Sequence, residues 1–132
     1  MNKKGTNLSE NDLAKILVNI FIKVHRVLGP GLLESVYESA ICFELEKLEI
    51  PYNRQPEIAV FYEDVKMDVG FRADIIVEDK LIIEIKSVSS LTAIHHKQLL
   101  TYLRLTDMKL GLLVNFNEVL VKDGITRIVN NL

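Results

Sequence analysis

Asp74, Glu84 and Lys86 interrupt two apolar, β-branched runs in the stretch Phe71-Arg-Ala-Asp-Ile-Ile-Val-Glu-Asp-Lys-Leu-Ile-Ile-Glu-Ile-Lys86. They are the residues whose types and spacing could do chemistry. The stretch reads as a hairpin, with strands over about Phe71–Val77 and Leu81–Val88 and a turn at Glu78-Asp79-Lys80. Side chains alternate faces along a strand, so Glu84 and Lys86 share a face with Ile82, and Arg72 and Asp74 share one with Ile76. Pairing the strands brings one carboxylate from each, with one amine, to the same end of the hairpin. That is the donor set of a metal site with a lysine beside it. The ordinary fate of such charges is a solvated strand face. Here, however, isoleucines flank Glu84 on both faces, the pattern of a strand buried on both sides. A buried charge must be paired or bound to metal, because an isolated one costs several kcal/mol.

The elements that must position these residues follow from periodicity and caps. Leu8-Ser9-Glu10-Asn11-Asp12 supplies N-cap chemistry, and from Leu13 the residues Ile16, Leu17, Ile20, Phe21, Val24 and Leu28 recur at helical spacing until Gly29-Pro30-Gly31 ends the helix. A second helix is predicted from about Leu32 to Leu48, with an apolar stripe of Leu33, Val36, Tyr37, Ala40, Ile41, Leu45 and Leu48. On that wheel Glu34 lies only about 20° from Ile41 and Leu45, so it is expected to point inward. Glu44 also falls within the stripe, so the wheel alone does not mark a ligand, and a first-turn carboxylate such as Glu34 also stabilises the helix dipole.

Strands over Glu57–Tyr62 and Val65–Gly70, joined at Glu63-Asp64, lead into the hairpin as an antiparallel meander of about three strands, with Lys66 and Asp68 facing solvent. Leu91–Leu105 reads as a helix capped by a serine. On it Gln98 and Tyr102 share a face, His95 lies three residues before Gln98, and Ile94, Leu99 and Leu103 form a neighbouring stripe. The plain reading of His95 and His96 is two boundary residues. The apolar run Lys109–Phe116 suits a central buried strand, joined parallel to the Glu84 strand by a right-handed crossover. Ile125–Val129 is a short edge strand.

At 132 residues the chain is expected to be one domain over 1–132, with residues 1–10 a mobile N-terminal segment. Sixteen basic against eighteen acidic residues give a net charge of −2, whereas a protein that coats nucleic acid electrostatically is usually basic. A large phosphate footprint is thus not signalled, while a small metal site is compatible. The single cysteine, Cys42, excludes an internal disulfide and a cysteine-rich metal site, and its apolar helical setting suggests a small buried hydrophobe. No secretory signal and no run of ~20 apolar residues is present, so a cytoplasmic location without membrane contact is expected.

The order of helices and strands, with Asp and Glu-x-Lys on consecutive strands, resembles the core of the PD-(D/E)XK nuclease superfamily. Gly31-Leu-Leu-Glu34-Ser-Val-Tyr37 resembles the motif that names the GxxExxY proteins, a nuclease-like family within that group. The resemblance runs from about Val24 to Val129 and includes Gly111–Phe116 and Gly124–Ile128. It implies a restriction-endonuclease-like α/β fold (α+β mixed sheet), its central mixed sheet flanked by helices in the order α-α-β-β-β-α-β-β. It also implies that Asp74 and Glu84 hold Mg²⁺ or Mn²⁺, that Glu34 adds a carboxylate, and that Lys86 is the active-site lysine. Gln98 and Tyr102 are similar to the Gln-x-x-x-Tyr motif of RecB-type exonucleases, which supports the active site and contacts DNA. His95 and Tyr37 are further candidates for binding or supporting substrate. Ala73 stands where the superfamily's name has proline.

The expected activity is metal-dependent hydrolysis of phosphodiester bonds in DNA. The residue types suit it, since carboxylate-bound Mg²⁺ neutralises phosphate charge and activates water, and Lys86 can position that water or stabilise developing charge. Three carboxylates in a small space should raise the pKa of at least one of them when no metal is bound. The alternative is a catalytically inactive nuclease-fold module that binds nucleic acid or a protein partner, a reading motivated by the acidic net charge and the lack of a further DNA-binding domain. A core this small offers limited surface for gripping DNA, so a homodimer is expected.

Overall fold

The computed structural model of the chain describes residues 5–132. Helix α1 (Glu10–Leu28) begins in a reciprocal cap, where Ser9 Oγ accepts the Asp12 N–H and the Asp12 carboxylate accepts the Ser9 N–H. The chain then turns through Gly29 and Gly31, whose φ values of 76° and 93° suit residues without a Cβ, into helix α2 (Glu34–Lys47). Tyr37 closes this turn from below. Its buried hydroxyl donates to the Gly29 carbonyl (2.6 Å) and accepts the Leu32 N–H (3.0 Å), while its ring stacks on Phe116 at 4.4 Å.

Nine strands, one further α-helix and a short 3-10 helix follow among the described residues: β1 (Tyr52–Arg54), β2 (Glu57–Ile58), β3 (Phe61–Tyr62), β4 (Val65–Lys66), β5 (Phe71–Arg72), β6 (Ile75–Val77), β7 (Leu81–Lys86), α3 (Ala93–Thr106), β8 (Leu110–Asn115), the 3-10 helix (Val121–Gly124) and β9 (Ile125–Val129). The central sheet has the order β1-β6-β7-β8-β9. Strands β7 and β8 pair in parallel and the other neighbours are antiparallel, so the sheet is mixed. One face carries Ile75, Ile83, Ile85 and Val114 against Leu17 and Phe21 of α1 and Ile41 and Leu45 of α2. The other carries Ile76, Ile82 and Leu113 against Leu99 and Leu103 of α3. Strand β7 is therefore buried on both faces, as the isoleucines on each of its faces require. Gly111 is small because α3 presses on β8 there: a Cβ would stand 2.9 Å from Leu99.

This is the α/β mixed-sheet architecture read from the sequence, with four local differences. The first is β1, a three-residue edge strand between Pro51 and Pro56 that is too short to show a period. The second is the meander. Strands β2 and β5 pair with each other, as do β3 and β4, in a two-stranded arm outside the central sheet. Gly70 permits the close crossing in that arm, since a Cβ there would lie 2.0 Å from the Ile58 carbonyl oxygen.

The third difference is the face of α2. Leu33, Val36 and Leu48 are exposed, and the buried face is Tyr37, Glu38, Ile41, Cys42 and Leu45. Both sides of α2 are apolar, so periodicity does not choose between them and the sheet does. Leu28 and Ile94 are likewise exposed. The fourth is the cap of α3, which is Thr92 rather than a serine.

Of the N-terminal segment, residues 1–4 lie outside the described residues. Beyond them Thr6 donates through its N–H and its hydroxyl to Glu78, both at 2.6 Å, and Glu10 already belongs to α1. Among the described residues no helix is long and apolar enough to cross a membrane. Cys42 is a free, buried thiol in the core.

Tyr37→Phe removes the hydroxyl that satisfies two backbone groups of the turn before Glu34. Urea unfolding should show a loss of about 1–3 kcal/mol, and an unchanged midpoint would mean that the turn does not depend on this hydroxyl.

Candidate active site

The site is a fork in the sheet. Strands β6 and β7 pair from Val77↔Leu81 to Ile75↔Ile83, and there the ladder ends. Beyond Ile75 the chain stays with its other neighbour: the Gln55 N–H donates to the Asp74 carbonyl (2.7 Å), the Ala73 N–H donates to the Pro56 carbonyl (3.3 Å), and Arg72 pairs with Glu57. The ribbon thus peels away from β7, and a buried N–H without a partner costs about 1–3 kcal/mol. Carboxylates fill the gap. Asp74 Oδ2 accepts the Ile85 N–H at 2.7 Å, and Glu84 Oε2 accepts the Asp74 N–H at 2.8 Å.

Each carboxylate therefore commits one oxygen to the backbone, and the other accepts no bond from the backbone. Glu84 is 5% exposed. Burial, and then the charge of Asp74, push its carboxyl up to about 8. Burial also raises Asp74, offset by the Ile85 N–H, with Glu38 and Glu34 raising it further and Lys86 lowering it. Lys86 ends β7, half-buried, on the face of Glu84, and its ammonium forms no ion pair among the described residues.

The structure brings some of the predicted site residues together and leaves others apart. Asp74 and Glu34 line one pocket of ≈ 250 Å³ with Ser35, Glu38, Gln55 and Ile85. Glu34 does not turn into the core as its wheel position suggested. It is exposed in the first turn of α2, where Oε2 accepts the Ser87 N–H at 3.2 Å. Tyr102 stacks on Phe71 at 4.1 Å, and burial, then Glu84 and Asp74, raise its phenol, so it stays protonated at neutral pH. Gln98 is exposed, and its side chain makes no hydrogen bond among the described residues. His95 is turned to capping, its Nδ1 accepting the Thr92 N–H at 3.0 Å. Tyr37, in the first turn of α2, is buried beneath the turn that precedes Glu34, away from solvent.

Three residues that the sequence reading passes over belong to this site. Glu38, 3% exposed, accepts from Arg54 Nε and Gln55 Nε2, each at 3.0 Å. Gln55 then holds the Asp74 carbonyl through its own N–H, so α2 is coupled to Asp74 through a single residue. Glu38 had a signal, because it lies four residues after Glu34 and so shares its face. Asn115 is the third. It is fully buried opposite Lys86, accepts the Val88 N–H and donates to the Val88 carbonyl, and so pins the loop that follows the lysine. A lone amide in an apolar strand was its signal.

Among the described residues no three His, Cys, Asp or Glu side chains form a ready metal cage. Asp74 and Glu84 supply two fixed carboxylates. That fits Mg²⁺ or Mn²⁺, which take oxygen ligands, keep several waters and accept phosphate oxygens, and it does not fit a closed zinc site.

A family model described as the PD-(D/E)XK nuclease superfamily matches residues 11–128. No curated protein matches the chain. Among solved structures, that of SSO0001 is similar with 22% identity and a TM-score of 0.43, over 91% of this chain and 79% of that one.

The raised carboxyl of Glu84 makes a stability prediction for the metal-free protein. Between the ordinary value of 4.5 and about 8 the folded chain holds a proton that the unfolded chain has released. Stability should therefore fall as pH rises through that window and level off above it. In EDTA the melting temperature should drop by about 5 °C or more across the window, and Glu84→Gln should flatten the profile. A wild-type profile as flat as the variant's would contradict the assignment.

Proposed function

The chain belongs to the PD-(D/E)XK nuclease superfamily, and on that premise we propose that it hydrolyses phosphodiester bonds of DNA with Mg²⁺ or Mn²⁺ held by Asp74 and Glu84. The observation that carries this reading is the fork, where two carboxylates are fixed by each other's strands beside Lys86. When bound, the cation supplies charge neutralisation on the phosphate and a nucleophile at neutral pH.

The chain's own residues do the rest. The Ile85 and Asp74 N–H groups orient the carboxylates, so little ordering remains when a cation arrives. Carboxylates at Glu34 and Asp74 repel a phosphodiester until a cation neutralises them, which couples substrate binding to the cation. Lys86, on the face of Glu84, donates to a phosphate oxygen or to the attacking water as charge develops. Glu38 and Gln55 hold Asp74 from behind, and Tyr102 remains a hydrogen-bond donor above Phe71.

We further read the Gly31…Glu34…Tyr37 segment as placing the chain among the GxxExxY proteins. Its geometry suits that motif, with Gly31 making the turn, Glu34 at the pocket and Tyr37 closing the turn. A single 1–132 domain, a cytoplasmic location and a homodimer belong to the same proposal, and light scattering tests the last.

The test is cleavage of linear, nicked and single-stranded DNA with either cation. Wild type should cut, and Asp74→Ala, Glu84→Ala and Lys86→Ala should each lose roughly 100-fold or more. Calorimetry should show Mn²⁺ binding that Glu84→Ala abolishes. Mn²⁺ binding with no cleavage, or equal cleavage by wild type and the variants, would sink the proposed hydrolysis. Absence of both cation binding and cleavage would favour a binding module built on a nuclease fold.

A further inference from the structure

Helix α2 carries a second apolar stripe, on the side turned away from the sheet. Leu33, Val36, Ala40, Phe43 and Lys47 follow one another at alternating steps of three and four residues, the spacing of a seam along which helices pair. At about 100° per residue this stripe lies opposite Ile41 and Leu45, which pack in the core. Leu33 is 75% exposed and Phe43 62%, Val36 is exposed as well, and Ala40 in the middle is half-buried. Single exposed hydrophobes are ordinary on a protein surface, whereas a continuous seam along the whole of a 14-residue helix marks a contact face.

The charges around the seam decide what it fits. The seam itself holds no carboxylate. Glu44, on its flank, is held by Lys23 at 2.6 Å and by Lys47 at 2.9 Å, and the Lys47 ammonium also lies over the Phe43 ring, 5.2 Å from its centre. A strongly acidic or basic partner therefore finds no unpaired charge along the seam to recognise. A second copy of the chain brings the same uncharged stripe, and the stripe complements itself about its middle. Ala40, its smallest member, lets two helices approach closely, with Leu33 and Val36 on one side of it and Phe43 on the other. Antiparallel crossing at Ala40 sets Val36 of each copy against Phe43 of the other. It also brings the end bearing Glu34 to the end bearing Lys47 and opposes the two helix dipoles, whereas a parallel pair would bring like ends together.

We propose that α2 pairs with α2 of a second copy, antiparallel about Ala40, in a two-fold dimer. This gives the proposed homodimer its interface, and it stands apart from the nuclease reading because no seam residue is assigned to the cation. The two candidate sites, each reached by Glu34 in the first turn of its own α2, lie at opposite ends of the helix pair. One pair of four-turn helices is a small contact, near the lower bound of about 1,200 Å² for specific interfaces, so the dimer should form reversibly with concentration.

The test is sedimentation equilibrium of the full chain up to about 1 mM, combined with disulfide capture. Wild type should exchange between monomer and dimer. Phe43→Glu places an unpaired charge in the contact and should weaken association roughly 10-fold or more, while Phe43→Leu should retain it. The side chain is exposed, so the melting temperature of either variant should match that of wild type at a concentration where wild type is monomeric. Ala40→Cys, at the two-fold, should link two chains under mild oxidation, and wild type should not, since its single thiol at Cys42 is buried.

A wild type that stays monomeric throughout, or a dimer that Phe43→Glu leaves intact, would overturn the proposal. So would a dimer lost in Phe61→Ala with Tyr62→Ala, which would assign the contact to the projecting arm. Val36→Cys linking to itself as readily as Ala40→Cys would mean a parallel pair and overturn the antiparallel one. Failure of the nuclease reading looks different: no DNA would be cut with Mg²⁺ or Mn²⁺, yet the dimer and its dependence on Phe43 would persist.

Discussion

Two hydrogen bonds hold the fork open. Where β6 leaves β7, the Ile85 N–H goes to Asp74 and the Asp74 N–H goes to Glu84. Each bond ties a side chain of one strand to the backbone of the other, so neither carboxylate can reorient without exposing an N–H that the sheet no longer serves. The same exchange that terminates the ladder fixes the two carboxylates proposed to hold a cation. Structural completion and site preorganisation are thus one interaction.

The arrangement sets up a tension that the surroundings only partly relieve. Glu84 is nearly fully buried beside a second carboxylate, and burial favours its neutral form. Lys86 and the Asp74 N–H act in the opposite direction. The balance without a cation leaves the carboxyl protonated at neutral pH, and a divalent ion reverses that by favouring the charged form. On the proposed reading, the burial that raises Glu84 without a cation is the same burial that favours binding one.

Support for the fork comes from elements distant in sequence. Helix α2 contributes Glu38, whose buried carboxylate holds Arg54 and Gln55, and Gln55 passes that constraint to the Asp74 carbonyl. Strand β8 contributes Asn115, which fixes the loop after Lys86. Helix α3 contributes Tyr102 against Phe71, where the arm meets the site. On the proposed reading, these distant elements must all be in place before the two carboxylates and the lysine can act together.

The sequence by itself determined the hairpin, the strand buried on both faces and the order of the principal elements. Period-two alternation, capping residues and glycine-proline breaks are local properties, readable over a few residues. It also singled out Asp74, Glu84 and Lys86, because charge within an isoleucine-rich strand is conspicuous without any knowledge of neighbours. The inward face of α2 was decided only by tertiary structure. Its two sides are both apolar, and the sheet selected the one bearing Glu38 and Cys42 over Leu33 and Val36. The same holds for the fate of His95, claimed by the Thr92 cap, for the edge strand β1, and for the folding of the expected meander into a projecting arm. Strand pairing is a choice between distant partners, and the energy that decides it resides in contacts a local pattern does not contain.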